Sequence, residues 1–98
     1  MNDPTFAPAQ VLRIEGEMTI YRAVELWSVI RRALDTPGDV ELDLAAVSEL
    51  DSSGVQLLIA AQQRARAGQR ELRLVGHNPA VLEVFETLGL AALLGAPA

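Results

Sequence analysis

The sequence predicts an α/β sandwich, in which three or four helices pack on a mixed, partly parallel sheet of four to five strands. Short segments with a period of two alternate along the chain with longer segments of helical spacing. Connections of only a few residues separate them, which is typical of α/β folds. The length of 98 residues suits one domain. We therefore predict a single domain over residues 10–98, preceded by an N-terminal arm or edge strand at residues 1–9.

The first half of the chain predicts a strand followed by a helix. Residues 1–9 contain two prolines, which favour an arm or an edge strand over a central strand. Residues 11–15 are rich in branched side chains and precede Gly16, which predicts a short strand that ends there. Apolar side chains recur at three-and-four spacing over residues 21–34. This spacing predicts a helix, for which Thr19 is the expected cap.

The second half continues the alternation of strands and helices. Residues 40–44 alternate apolar and acidic side chains, which predicts a strand with one face in the core. Helical spacing returns over residues 53–66, and a further strand is expected at residues 71–75. A third helix should begin at Asn78, because asparagine is a preferred N-cap and proline is preferred directly after it. The apolar residues 90–98 are expected to form a last strand or a docked coil.

Composition excludes several classes of function. The chain has no cysteine, so it has no disulfide, zinc-thiolate site or catalytic thiol. Its net charge is −5, and its eight basic residues are scattered arginines, which argues against nucleic acid as a partner. No apolar stretch is long enough to cross a membrane, and residues 1–10 lack the features of a secretory signal. We expect a soluble, cytoplasmic protein without direct membrane insertion, and without a bound metal or cofactor.

The most informative segment is the polar corner that precedes the second helix. Functional groups of α/β folds gather where strands end and helices begin. Ser53 and Gln56 match a capping box, which assigns Ser53 to helix capping and leaves Ser52 as the exposed candidate for chemistry. A phosphate on Ser52 would meet the positive end of the helix dipole and add a charge of about −1.5 to −2 beside Asp51. The alternative is that this segment only caps the helix.

Three short motifs support a family resemblance. They are Gly16-Glu17-Met18, Asp51-Ser52-Ser53-Gly54-Val55, and Asn78-Pro79-Ala80-Val81 followed by Phe85 and Gly89-Leu90. Through them the sequence resembles the STAS domains of bacterial anti-sigma factor antagonists over about residues 10–95. The resemblance implies a STAS-type sandwich fold. It also implies that the serine after the aspartate, here Ser52, is phosphorylated by a partner serine kinase, often itself an anti-sigma factor, and that a phosphatase reverses the modification.

The resemblance further implies that the unphosphorylated domain binds its partner through the helix end and a neighbouring loop. Thr19 stands where the antagonists usually carry an aspartate. Its surroundings are more similar to STAS proteins of chemotaxis and other signalling systems, so the partner is expected to be an anti-sigma factor kinase or a related signalling protein. The predicted partner-binding residues are Thr19, Ile20, Tyr21, Asp51, Ser52, Ser53, Gly54 and Gln56. We hypothesise that phosphorylation of Ser52 weakens this binding.

Competing functions have less support in the sequence. A serine hydrolase would need a Gly-x-Ser-x-Gly elbow, and the position two residues before either corner serine is not glycine. A response-regulator receiver would need a lysine, which the chain lacks, and no glycine-rich nucleotide-binding motif is present. We therefore expect no enzymatic activity. One alternative stays open, namely a constitutive STAS accessory subunit of a signalling or lipid-transport ATPase complex that uses the corner only for contact.

Overall fold

A computed structural model describes residues 8–90 of the chain. Strands and helices alternate in the predicted order, and Asn78 caps the third helix as expected, since its side chain accepts the N–H of Val81. The predictions for residues 1–7 and 91–98 lie outside the described residues. The elements are β1 (Gln10–Met18), a 3₁₀ helix (Ile20–Arg22), α1 (Ala23–Asp35), β2 (Val40–Leu50), α2 (Ser52–Ala67), β3 (Leu72–Val75) and α3 (Pro79–Thr87).

The sheet differs from the predicted one. In the described part of the chain it has three strands in the order β1-β2-β3, and both pairings are parallel. The prediction of a mixed sheet with four to five strands is therefore wrong for these residues. Each pair of successive strands is joined by a helix that returns the chain to the same edge of the sheet, and this makes the neighbouring strands parallel. The extra strands had been expected at the two termini, which lie largely outside the described range.

The first two strands are longer than predicted. Gly16 does not end β1, because it adopts a left-handed conformation with a φ of 82° and the strand continues to Met18. β2 likewise continues to Leu50. Two irregularities interrupt the register between the strands, one of them directly after Gly16, and at each of them β2 contributes one residue more than β1. Such bulges bend a strand and redirect its side chains, which hides the alternation in the sequence.

Arg22 fixes the irregular part of β1 to the segment that follows it. Its Nη1 atom donates to the carbonyl oxygens of Glu15 at 2.6 Å and Glu17 at 2.9 Å. Its Nη2 atom lies 3.5 Å from the carboxylate of Glu25, on the first turn of α1. The 3₁₀ helix is therefore held against the end of β1, although it has no buried residue of its own.

One hydrophobic core lies between the sheet and the helices. Met18, Leu42, Leu44, Leu58 and Phe85 are fully buried within it. Helices α1 and α2 pack against each other and against the sheet, and α3 packs on β2. No helix within residues 8–90 combines the length and apolar character needed to cross a membrane.

Candidate functional site

The functional site predicted from the sequence lies at the carboxyl edge of the sheet. Met18 and Leu50, the last residues of β1 and β2, are paired in the sheet, so the segments that follow the two strands emerge side by side. The N–H of Asp51 donates to the carbonyl oxygen of Met18 at 3.3 Å. We refer to residues 19–22 and 51–54 together as the corner.

Asp51 connects the two halves of the corner. One carboxylate oxygen, Oδ1, accepts the N–H of Gly54 at 3.0 Å and thereby caps α2. The other, Oδ2, accepts the N–H of Ile20 at 3.0 Å. A single side chain therefore starts the helix and ties the segment after β1 to it.

The predicted capping box is wrong. Helix α2 begins at Ser52, two residues earlier than the capping box requires, and its N-cap is Asp51 instead of Ser53. Asp51 already has the extended backbone of an N-cap residue and a side-chain acceptor in place. Ser53 consequently lies within the first turn, so the pairing of Ser53 with Gln56 has no role in the cap.

The electrostatics of Asp51 follow from these bonds. The N–H of Gly54 stabilises the carboxylate and lowers the pKa of Asp51 below its usual value of 3.8. Partial desolvation opposes this effect, and the N–H of Ile20 adds to the lowering. Asp51 is therefore ionised at neutral pH.

We expect replacement of Asp51 to destabilise the fold in a pH-dependent way. At pH 7, Asp51→Ala should lower the Tm by several degrees, because α2 loses its cap and Ile20 loses its acceptor. Asp51→Asn keeps one oxygen for Gly54 and should lower the Tm less. Because the folded pKa of Asp51 is depressed, its stabilisation is present above pH 3.8 and is lost as the pH falls through the folded value. Thermal denaturation should therefore show a difference between the wild type and Asp51→Asn that shrinks below about pH 3.8.

Glu49→Gln is the matched control for this titration, because Glu49 is exposed near the end of β2, the strand that precedes Asp51. It should change the Tm little at either pH. A gap between the wild type and Asp51→Asn that is equally large at pH 7 and pH 3 would contradict the proposed role of the carboxylate.

Ser52 is exposed, as the sequence predicted, but it is the first residue of α2 and does not lie outside the helix as the capping box required. Ser53, at the second position, is half-buried. The bond from Ile20 to Asp51 brings the segment after β1 next to these serines. Of the two hydroxyl-bearing side chains, Ser52 is therefore the more accessible to another protein.

An exposed apolar surface covers part of the corner and continues onto α1. The exposed fractions are 62% for Ile20, 89% for Tyr21 and 88% for Val24. Sequence reasoning identified Ile20 and Tyr21 but missed Val24, which lies in the first turn of α1. The sequence could have indicated Val24, because it is an apolar residue that lies outside the buried stripe of that helix. We call these three residues the apolar patch.

The remaining predicted contact residues are less available. Thr19 is only 4% exposed, and it precedes the 3₁₀ helix without a capping hydrogen bond from its side chain, so the predicted capping role is wrong. Gly54 is also buried. In this conformation neither residue presents a side chain to a partner. Gln56 is exposed, about one turn further along α2.

A groove beside Ser52 has no counterpart in the sequence prediction. It has a volume of about 250 Å³ and opens between the start of α2 and the end of α3. Leu88 is 51% exposed there although it is a large apolar residue. The groove depends on how α3 docks, which no local pattern encodes. Its lining residues are Leu50, Asp51, Ser52, Glu83, Val84, Thr87 and Leu88.

The described residues contain no group of three or more histidine, cysteine, aspartate or glutamate side chains that could hold a metal ion. His77 lies away from the corner in the loop before α3, where its Nε2 is 3.0 Å from the carbonyl oxygen of Leu74. This hydrogen bond agrees with the structural role that a lone histidine usually has.

Comparison with known proteins finds relatives along nearly the whole chain. A family model described as "Mlab, STAS domain" matches residues 5–95. An anti-sigma-B factor antagonist of Staphylococcus aureus is 27% identical over 84 residues, covering 85% of this chain and 78% of that protein. The protein of the same name from Staphylococcus epidermidis is 26% identical over the same shares.

Solved structures show the same fold. The anti-sigma factor antagonist SpoIIAA in its unphosphorylated form has a TM-score of 0.72 and 23% identity, covering 89% of this chain and 78% of that one. A sulfate transporter family protein from Wolinella succinogenes has a TM-score of 0.73 and 22% identity, covering 96% and 83%. Because regulators and transporter proteins share this fold, the fold alone does not define the partner.

Proposed function

This chain belongs to the STAS domain family, and we propose from this that it is a protein-interaction switch controlled by phosphorylation of Ser52. The observation that carries the proposal is the exposed Ser52 in the first turn of α2, beside a carboxylate that ties the two corner segments together. The similarity to proteins named anti-sigma-B factor antagonists supports a regulatory partner. The domain itself acts by binding, without catalysing a reaction.

The position of Ser52 allows a phosphate without unfolding the domain. An anion in the first turn of a helix interacts favourably with the helix dipole, by about 0.3–1 kcal/mol. The same phosphate adds a charge of about −1.5 to −2 next to the ionised Asp51. The fold therefore tolerates the modification, whereas the surface that a partner meets changes strongly.

The apolar patch supplies the other part of the proposed interface. Exposed tyrosine and branched side chains are typical anchors of protein interfaces, because they bury a large apolar area with little loss of conformational freedom. A partner that covers Tyr21 and Ile20 would also cover Ser52. A hydrated phosphate at this place would have to lose water on binding, and its desolvation opposes association. Phosphorylation therefore releases the partner, which we propose to be a serine kinase with anti-sigma activity or a related signalling protein.

We expect Ser52→Asp to weaken partner binding by about tenfold to thousandfold, because hydrogen bonds and desolvation at a charged interface are worth a few kcal/mol. Ser52→Ala should bind as the unmodified protein does. The partner is first identified by pull-down with the wild-type chain, and its affinity for each variant is then measured by calorimetry. Ser48→Asp serves as the matched control, because Ser48 is exposed on β2 outside the corner.

Two outcomes would change the proposal. Equal affinity of Ser52→Ala and Ser52→Asp would contradict the switch and favour a constitutive STAS accessory subunit of a signalling or lipid-transport ATPase complex. Mass spectrometry of the protein isolated from its own cells should locate the phosphate on Ser52. A phosphate found only on Ser53 would assign the switch to the neighbouring residue.

A further inference from the structure

The groove beside Ser52 has an apolar floor and an accessible mouth. Leu50 and Val84 form part of this floor, and Leu88 lies half-exposed along it. Ser52 lines the same groove from the start of α2. Exposed leucine in a concave surface gains from contact with another apolar side chain, because contact removes both from water. The shape and the floor therefore suit a single bulky apolar side chain.

The rim of the groove is negative. Two carboxylates line it, Asp51 and Glu83. Asp51 is engaged by the N–H groups of Gly54 and Ile20. Glu83 is exposed and makes no ion pair with any described residue, and the last turn of α3 contains no basic side chain. Glu83 is therefore available to a cation.

From these observations we infer that the partner of the corner inserts an apolar side chain into the groove and places an adjacent arginine or lysine against Glu83. This inference rests on the proposed function, and it names the chemistry of the partner at that site. It extends the interface from the apolar patch across Ser52 to α3, so that Ser52 lies between two anchoring surfaces.

The groove also explains how a phosphate on Ser52 would act. The added charge alone would attract the partner's cation, which would strengthen binding. Ser52 is an exposed lining residue of the groove, however, so a phosphate on it would stand where the apolar side chain enters, and that side chain could enter only if the phosphate lost water. An ion pair at the surface is weak compared with the cost of desolvating a phosphate. Exclusion of the apolar side chain is therefore the dominant effect, and phosphorylation weakens binding.

The test uses random peptides displayed on phage, selected against the full chain. The enriched peptides should carry leucine, phenylalanine or tryptophan within a few residues of arginine or lysine, and their affinities are measured by fluorescence polarisation. Leu88→Ser should weaken them about tenfold, because the floor loses its apolar side chain. Glu83→Gln should weaken them about threefold, as expected for an exposed ion pair. Both residues are exposed, so both variants should fold.

Matched controls are available for both variants. Glu86→Gln removes an exposed carboxylate from the same helix outside the groove, and Val11→Ser removes an exposed apolar side chain from β1. Neither control should change the affinity. Enriched peptides without a basic residue, or peptides that bind Leu88→Ser as well as the wild type, would overturn the inference.

Other occupants of the groove would give different results. Self-association of the chain that is lost in Leu88→Ser would assign the groove to a second copy and overturn the inference. Peptide binding that strengthens when Leu93 and Leu94 are changed to serine would assign it to the chain's own C-terminal residues, which also overturns it. Peptides that depend on Leu88 and Glu83 but bind Ser52→Asp and Ser52→Ala equally would support the groove and remove the switch. A partner that binds the two Ser52 variants with different affinity, but binds Leu88→Ser as tightly as the wild type, would support the switch and overturn the role of the groove.

Discussion

Gly54→Ala is expected to lower the free energy of unfolding by about 3 kcal/mol, the upper part of the range for overpacked positions. Gly54 is buried in the first turn of α2. A Cβ atom there would collide with the carbonyl oxygen of Met18, and it would lie 2.6 Å from Cδ1 of Leu50. A side chain could move aside, but the backbone oxygen of Met18 belongs to the paired end of β1 and cannot. The start of α2 would therefore have to shift away from the sheet.

Gly68→Ala is the matched control, since Gly68 lies at the other end of the same helix. An added Cβ would meet nothing closer than 3.7 Å, and the φ of −91° suits alanine. We expect a change within about 0.5 kcal/mol for this variant. Urea denaturation monitored by circular dichroism would measure the free energy of unfolding of both variants. Equal stability of the two variants would contradict the packing role that the structure gives Gly54, which the sequence had assigned to partner binding.

The order of the elements could be predicted because their signals are local. The helical spacing of residues 23–34 and the alternation of residues 40–44 each reflect one buried face, and the pattern needs no knowledge of the partner element. Asn78 followed by Pro79 is likewise a local signal for the start of a helix. The exposure of Ser52 was predicted correctly from a wrong premise, since Ser53 does not cap α2; Ser52 is exposed because it opens α2 at the edge of the sheet.

The errors arose where distant contacts decide between local alternatives. Asp51 and Ser53 are both good N-cap residues, and Asp51 in addition accepts the N–H of Ile20, a partner that is distant in sequence. Strand β2 continues past residue 44 because β1 is there to pair with it, although bulges disrupt the alternation. The groove beside Ser52 exists because α3 packs on β2, so no segment of the sequence could predict it alone.

Asn78 is expected to be a second position where a small substitution has a large effect. Its Nδ2 atom lies within hydrogen-bonding distance of three carbonyl oxygens of β2, those of Leu44 at 3.1 Å, Ala45 at 3.1 Å and Val47 at 2.8 Å. Its Oδ1 atom accepts the N–H of Val81 at 3.0 Å. One side chain thus caps α3 and fastens that helix to the central strand. The sequence predicted only the cap.

Asn78→Asp separates these two roles. Aspartate caps helices as well as asparagine does, so a purely local role predicts almost no change in stability. In the structure, however, the substitution would remove the donor and place a negative oxygen against the carbonyl groups of β2. We expect the free energy of unfolding at pH 7 to fall by about 2–4 kcal/mol, since each buried acceptor left without a donor costs about 1–3 kcal/mol.

Urea denaturation of Asn78→Asp and Asn78→Ser at two pH values would test this role of Asn78. Serine keeps a capping oxygen without placing a charge against β2, so Asn78→Ser should be the more stable of the two at pH 7. Protonation of the introduced carboxyl restores a donor toward the carbonyl oxygens of β2. The destabilisation by Asn78→Asp, relative to the wild type, should therefore shrink as the solution is acidified. If Asn78→Asp is as stable as the wild type at pH 7, apolar contacts alone hold α3 on β2, and Asn78 contributes only the helix cap.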